Sequence, residues 1–204
     1  MKDLSIYFSP VESEKEFEEQ SLFSEILIHD ENGFPDLANE GIAIIHVPEY
    51  RNYYQGELPG KIDFRNNLYG LFKGEGWNGR VYDLGDIRPG ETVKDTYFAL
   101  SQVVSELIKS RIIPIVIGGG QDLTMACYKG FEPLEQMINI CSIDSKLDIG
   151  KPDEPVHAHG FVSHLLMERP CYLFNYANVG AQRPFISKRE LDLFDNLYLS
   201  LIHI

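Results

Sequence analysis

Residues 114–124, PIVIGGGQDLT, decide the fold: an apolar run ends in three glycines, and Gln121 and Asp122 follow directly. Residues 137–144, MINICSID, repeat the arrangement with an apolar run that ends at Asp144. Continuous apolar runs bounded by such turns are typical of strands buried on both faces of a parallel sheet. Functional groups collect beyond the carboxyl ends of these strands. We therefore expect Gln121 and Asp144 to lie close together.

The same alternation of strand and helix extends outward from these two runs. Apolar runs predict further strands, and apolar positions at helical spacing predict helices between them: strands at 41–47, 80–84, 176–179 and 197–204, and helices at 91–110, 161–167 and 187–194. Buried strands that alternate with helices predict an α/β fold, a parallel sheet with helices on both faces. Residues 1–40 read as an acidic extension with a helix near 13–27, and residues 41–204 as the α/β domain.

Composition excludes several classes of function. The formal net charge of −13 over 204 residues argues against nucleic acid and anionic membranes as partners. No apolar run has the length of a membrane span, and no basic segment followed by an apolar one marks a secretory signal. Three cysteines without a close pair make a poor disulfide framework, which favours the cytoplasm.

The two blocks resemble the metal-binding blocks of the arginase, agmatinase and formimidoylglutamase family, the ureohydrolases. In that family the first strand ends in Gly-Gly-x-His-Ser/Thr and the second in Asp-Ala-His-x-Asp. This chain keeps Asp144 and Asp148, but Gln121 and Lys146 stand at the two histidine positions. His159-Gly160 is similar to the family's His-Gly, and residues 178–183 resemble its later Gly-x-Arg strand.

The resemblance implies a three-layer arginase-like fold and a hydrolase of carbon–nitrogen bonds in linear amidines, nearest to formimidoylglutamase. It implies manganese as the cofactor, Asp144 and Asp148 as metal ligands, and His159 as the catalytic residue that relays protons. It also implies a small amidine substrate and a homo-oligomer for the full-length protein. His157 alternates with His159, so in an extended segment both would face one side, and the two histidines are either an independent metal pair or a feature of the loop.

The two substitutions support a second hypothesis, a catalytically inactive pseudoenzyme that uses the fold for binding or assembly. A protonated lysine offers only donors and repels a dication, so we predict that the Lys146 ammonium neutralises Asp144 and Asp148. Asp122 is predicted to cap the helix that follows it. A dinucleotide-binding module is disfavoured because residues 46–50, HVPEY, replace the glycine pattern after the first strand.

The last predicted strand has no turn or cap after it, and the family's Asp-x-Asp pair is not present after Asp148. We therefore expect the sequence to be a C-terminally truncated fragment. Expressed alone, it is expected to aggregate or to pack loosely.

Overall fold

The computed structural model describes residues 3–12, 17–19, 21–53, 63–72, 79–197 and 199–203. The chain forms two compact units. The first unit contains residues 1–51 and 56–119, and the second contains residues 52–55 and 120–204. Within the described residues, no helix has both the length and the apolar character needed to cross a membrane.

The first unit is built on a mixed sheet in the order β1-β4-β3-β5, with β2 also paired to β4. Strands β2, β3 and β5 run parallel to their partners and β1 runs antiparallel to β4. Its elements are β1 (Phe8–Ser9), β2 (Leu27–Ile28), β3 (Gly41–His46), α1 (Phe64–Tyr69), β4 (Val81–Ile87), α2 (Val93–Lys109) and β5 (Ile112–Ile117).

Helix α2 begins where the sequence supplies a capping box. The Thr92 hydroxyl accepts from the Asp95 backbone N–H, and the Asp95 carboxylate accepts from the Thr92 N–H. Two otherwise unpaired N–H groups at the helix start are satisfied in this way. Leu100, Val103, Val104 and Leu107 are all buried, as their spacing of three and four residues predicts.

A polar network fixes α1 to β4 within the first unit. The Arg65 guanidinium donates to both oxygens of Asp83, at 2.8 and 3.0 Å, and to Asp86 at 2.6 Å. The Tyr69 hydroxyl donates to Asp83 at 2.8 Å. Asp83 is fully buried, so its charge requires these partners. His46 Nδ1 lies 3.0 Å from Asp86 Oδ1 at the end of β3.

The second unit contains a parallel sheet in the order β6-β7-β8. Its core packs apolar side chains from the sheet and from three helices around Leu147, Phe161, Tyr176 and Phe194. Its elements are α3 (Leu123–Phe131), β6 (Ile138–Ile143), α4 (Phe161–Met167), β7 (Leu173–Ala181), α5 (Lys188–Asn196) and β8 (Ser200–His203). The predicted α/β fold with parallel strands is confirmed. The expected burial of β5 and β6 on both faces is wrong, because Ile115 is 42% and Ile143 is 82% exposed.

The N-terminal segment differs from the sequence prediction. Residues 13–16 and 20 lie outside the described residues, and the described remainder of the expected helix is not α-helical. It forms a 3-10 turn at Leu22–Ser24 and then β2, which pairs with β4. Pairing with an existing sheet outweighs a weak local preference for helix. The domain boundary at residue 40 stays a prediction.

Candidate functional site

The candidate site lies where β6 ends, at the carboxyl edge of the second sheet. Asp144 follows the strand, and its backbone N–H donates to the Val179 carbonyl at 3.0 Å. Both of its carboxylate oxygens accept hydrogen bonds. Lys146 N–H donates to Oδ1 at 2.8 Å, and Gln121 Nε2 donates to Oδ2 at 2.8 Å. The structure thus brings Gln121 and Asp144 together.

Lys146 reaches the site through its backbone rather than its ammonium. Its side chain is exposed, and among the described residues it forms no ion pair with Asp144 or Asp148. The predicted direct neutralisation of both carboxylates is therefore wrong. A turn that points the Lys146 N–H at Asp144 directs the long side chain to solvent. The charge still acts at a distance, since it lowers the pKa of Asp148.

Asp148 is the buried acid of the site, with only 3% of its surface exposed. Burial raises its pKa to about 6, and the Asp144 charge acts in the same direction. Its φ of +48° is in the left-handed region, which a non-glycine residue rarely adopts. Its carbonyl accepts from the Val162 N–H at the start of α4, so the chain is held there despite the strained backbone.

His159 is the partner of Asp148. Its Nδ1 lies 3.3 Å from Asp148 Oδ1, and its ring lies 6.1 Å from the Tyr53 ring. The imidazole is partly exposed. His157 lies instead beside Glu154, with 3.8 Å between Nε2 and Oε2. The two histidines therefore have different acidic partners.

Asp122 does not act as the predicted helix cap. It is buried, its backbone is already helical, and its side chain accepts no capping hydrogen bond from the first turn of α3. A capping residue has an extended backbone, which aims its side chain at the exposed N–H groups. The helical backbone of Asp122 removes that geometry.

The donor set does not fit a two-manganese centre. Among the described residues, no three side chains from His, Cys, Asp and Glu are grouped so as to hold a metal ion. Asp144 already accepts from Gln121 and Lys146, and Asp148 is beside His159. A centre with two ions needs several carboxylate and imidazole ligands. Within the described residues, the site supplies two carboxylates and one imidazole.

Comparison with known proteins places the fold. The family model described as "Arginase family" matches residues 59–203. This chain belongs to the arginase family. A formimidoylglutamase from Streptococcus gordonii is 28% identical over 149 residues, which are 69% of this chain and 44% of that protein.

Two solved structures share the arginase fold of this chain. Formimidoylglutamase from Bacillus subtilis matches with a TM-score of 0.77 at 15% identity. The aligned region covers 95% of this chain and 63% of the B. subtilis chain. Trypanosoma cruzi formiminoglutamase with manganese matches with a TM-score of 0.70 at 21% identity. The aligned region covers 83% of this chain and 63% of the T. cruzi chain. The chain therefore spans less than two thirds of each relative's length.

Sequence reasoning missed Asn178, which contacts the site loop from β7. Its Nδ2 donates to the Lys146 carbonyl at 2.8 Å, and the residue is fully buried. A polar residue within a mostly apolar strand was the available signal. Its contact partner could not be read from sequence because it lies on another element.

Proposed function

We propose that this arginase-family chain forms a polar ligand site without a two-manganese centre, as part of a catalytically inactive binding protein. The hydrogen bond from Gln121 Nε2 to Asp144 Oδ2 carries the proposal. An imidazole at this position would offer a lone pair to a cation, whereas the amide offers a donor to the carboxylate itself. Gln121 thereby satisfies Asp144 in place of a metal ion.

The charge of Lys146 acts in the same direction. Its ammonium stabilises the ionised form of Asp148 from a distance, and the same positive potential opposes a dication at that place. Lys146 therefore supplies part of the positive charge that a metal ion would bring, and it removes the imidazole ligand that the family has at this position. Both substitutions favour a site that is stable without metal.

The groups that remain suit a small amidine as ligand. Asp144 is partly exposed, and the His159 imidazole is partly exposed beside Asp148. Carboxylate oxygens accept from the N–H groups of an amidine, and charged acceptors make the stronger hydrogen bonds. Binding of such a molecule uses the fold without the hydrolytic step.

Hydrolysis is the second candidate function, and the similarity to formimidoylglutamases favours it. In this case the full-length protein would hydrolyse the carbon–nitrogen bond of a linear amidine such as formimidoylglutamate. Asp144 and Asp148 would be metal ligands to manganese, which would supply an activated water. His159, held by Asp148, would carry a proton to the leaving amine.

Metal content and turnover of the full-length protein separate the two candidates. We expect less than one tightly held manganese ion per chain and no turnover of formimidoylglutamate. The double substitution Gln121→His with Lys146→His should raise manganese affinity by about tenfold or more, because it adds two imidazole ligands and removes a positive charge. Two tightly held manganese ions in the natural protein, together with turnover, would show the binding-protein proposal to be wrong.

A matched control makes the same two kinds of substitution on α2 of the first unit, at Gln102 and Lys109. Gln102→His with Lys109→His adds two histidines to the same protein. Equal gains in manganese affinity for both double variants would mean that surface histidines bind the metal, and would contradict the site assignment.

A further inference from the structure

The turn that carries the two aspartates is held by hydrogen bonds from the exit of β7. Asp144 N–H donates to the Val179 carbonyl, and Gln182 N–H donates to the Ser145 carbonyl at 2.9 Å. Asn178 Nδ2 donates to the Lys146 carbonyl at 2.8 Å. Three consecutive residues of the turn are thereby bound to β7 and to the residue that follows it.

These hydrogen bonds fix the peptide groups between Asp144 and Asp148, and thereby the relative orientation of the two carboxylates. The peptide group that joins Ser145 to Lys146 accepts from Gln182 at its carbonyl and donates from its N–H to Asp144 Oδ1. Asn178 fixes the next peptide group, which leads through Leu147 to Asp148. Rotation of either peptide group would change the relation between the two carboxylates.

Of these three hydrogen bonds, only the one from Asn178 comes from a side chain. Placing that side chain in the interior lowers the stability of the fold. Asn178 is fully buried, and its Oδ1 has no hydrogen-bond partner among the described residues. A buried acceptor without a partner is unfavourable for folding. An apolar residue at position 178 would avoid this cost, because Tyr176 and Ala181 of the same strand already belong to the apolar core. Stability alone therefore does not account for an amide here.

We propose that Asn178 is a positioning residue that sets the geometry of Asp144 and Asp148 by holding the Lys146 carbonyl. This inference rests on the proposed function only in taking these two carboxylates as the polar groups of the site. Gly180 contributes by its φ of +94°, a conformation that glycine adopts without strain. It lies in β7 where the register against β8 shifts between Val179 and Ala181, between the two backbone partners Val179 and Gln182.

Amide hydrogen exchange of the full chain, followed by NMR, tests the role of Asn178. Asn178→Leu removes the donor at similar size. We expect the protection of the Lys146 and Gln182 amides to fall by about tenfold, the scale set by losing one buried hydrogen bond. The amides of Ile140 and Tyr176, in the middle of β6 and β7, should keep their protection. A purely structural role would lower all four together, and that result would overturn the proposal.

Two further variants keep the result interpretable. Asn175→Leu is the matched control, because Asn175 is on the same strand and donates to Ser200 Oγ at 3.4 Å. It should leave the Lys146 amide unchanged. Asn178→Ser covers the case in which Asn178→Leu fails to fold: its shorter side chain stays polar but does not reach the Lys146 carbonyl, so protection at Lys146 and Gln182 should fall in the same way. Unchanged protection at Lys146 in a folded Asn178 variant would contradict the proposal.

Manganese titration of the same variants separates this inference from the proposed function. In the background of Gln121→His with Lys146→His, Asn178→Leu should weaken manganese binding by about tenfold, and Asn175→Leu should not. If the double-histidine background binds no manganese, the proposed function loses its support while the exchange result still tests Asn178. If the exchange result holds but manganese affinity is unaffected by Asn178→Leu, the positioning role is wrong.

Discussion

Single atoms decide what the candidate site can bind. The Gln121 side-chain amide donates a hydrogen bond to Asp144, whereas a histidine at this position would offer a lone pair to a metal ion. Lys146 adds a positive charge that lowers the pKa of Asp148. The sequence alone predicts the identity of these groups and their common location. It does not predict that Lys146 uses its N–H, because the direction of a peptide group depends on the turn and on its partners in β7.

The raised pKa of Asp148 leads to a prediction about pH. Its pKa rises from 3.8 to about 6 on folding, so its contribution to the free energy of unfolding is present below pH 4. That contribution is lost as the pH rises through about 6, because the folded protein must then hold the buried charge. Asp148→Asn cannot ionise, so at pH 7 it should be more stable than the parent by on the order of 2 kcal/mol.

Urea unfolding between pH 4 and pH 7 measures this difference. The stability gap between Asp148→Asn and the parent should open across that range and stay constant above it. Asp153→Asn changes an exposed carboxylate on the following loop and is the control. A gap that does not vary with pH would contradict the assigned pKa of Asp148.

At the scale of elements, apolar periodicity predicts most of the secondary structure. The expected helix at 161–167 coincides with α4, and the apolar run that precedes the three glycines lies in β5. The failures have physical causes outside the local sequence. The described residues between 17 and 27 are not α-helical and Leu27 pairs with β4, while Asp122 has a helical backbone and does not cap α3. The pairing of Leu27 and Ile28 with β4 is a tertiary contact that the local sequence does not encode.

The attachment of α1 to β4 gives the element-scale prediction. Arg65→Met leaves the fully buried Asp83 without its main counter-charge, and breaking one side of a buried pair costs about 3–5 kcal/mol. Replacing both partners, Arg65→Met with Asp83→Leu, should recover much of the loss. Urea unfolding provides the measurement. Arg111→Met, in an exposed pair with Glu40, is the control and should change little. Equal stability of Arg65→Met and Arg111→Met would contradict the buried-pair argument.

At the scale of the whole molecule, the chain covers 44% of a curated relative and 63% of each of two solved ones. Its family membership rests on matched sequence and its fold on structural similarity. Its function remains a proposal, carried by the contacts of Gln121, Asp144 and Asp148. The sequence resemblance identified the family from short motifs at strand ends, although Gln121 and Lys146 stand at two of its histidine positions.

One face of the second sheet provides the prediction at this scale. Ile143, Val179 and Ile202 form a row across β6, β7 and β8, and Ile143 is 82% exposed. Exposed apolar surface of this kind promotes association. Residues 1–204 should therefore self-associate in solution, and Ile143→Thr with Ile202→Thr should weaken that association by about tenfold or more, the scale of burying one large apolar side chain.

Sedimentation velocity over a range of concentrations measures the association. Threonine suits the comparison because it keeps the β-branched shape that strands favour while removing apolar surface. Ile6→Thr is the control, since Ile6 is also exposed but lies in a 3-10 turn of the first unit. The row is the cause only if the double variant dissociates and the control does not. Equal association of all three proteins would place the contact elsewhere, and a parent that stays monomeric would show that this face does not drive association.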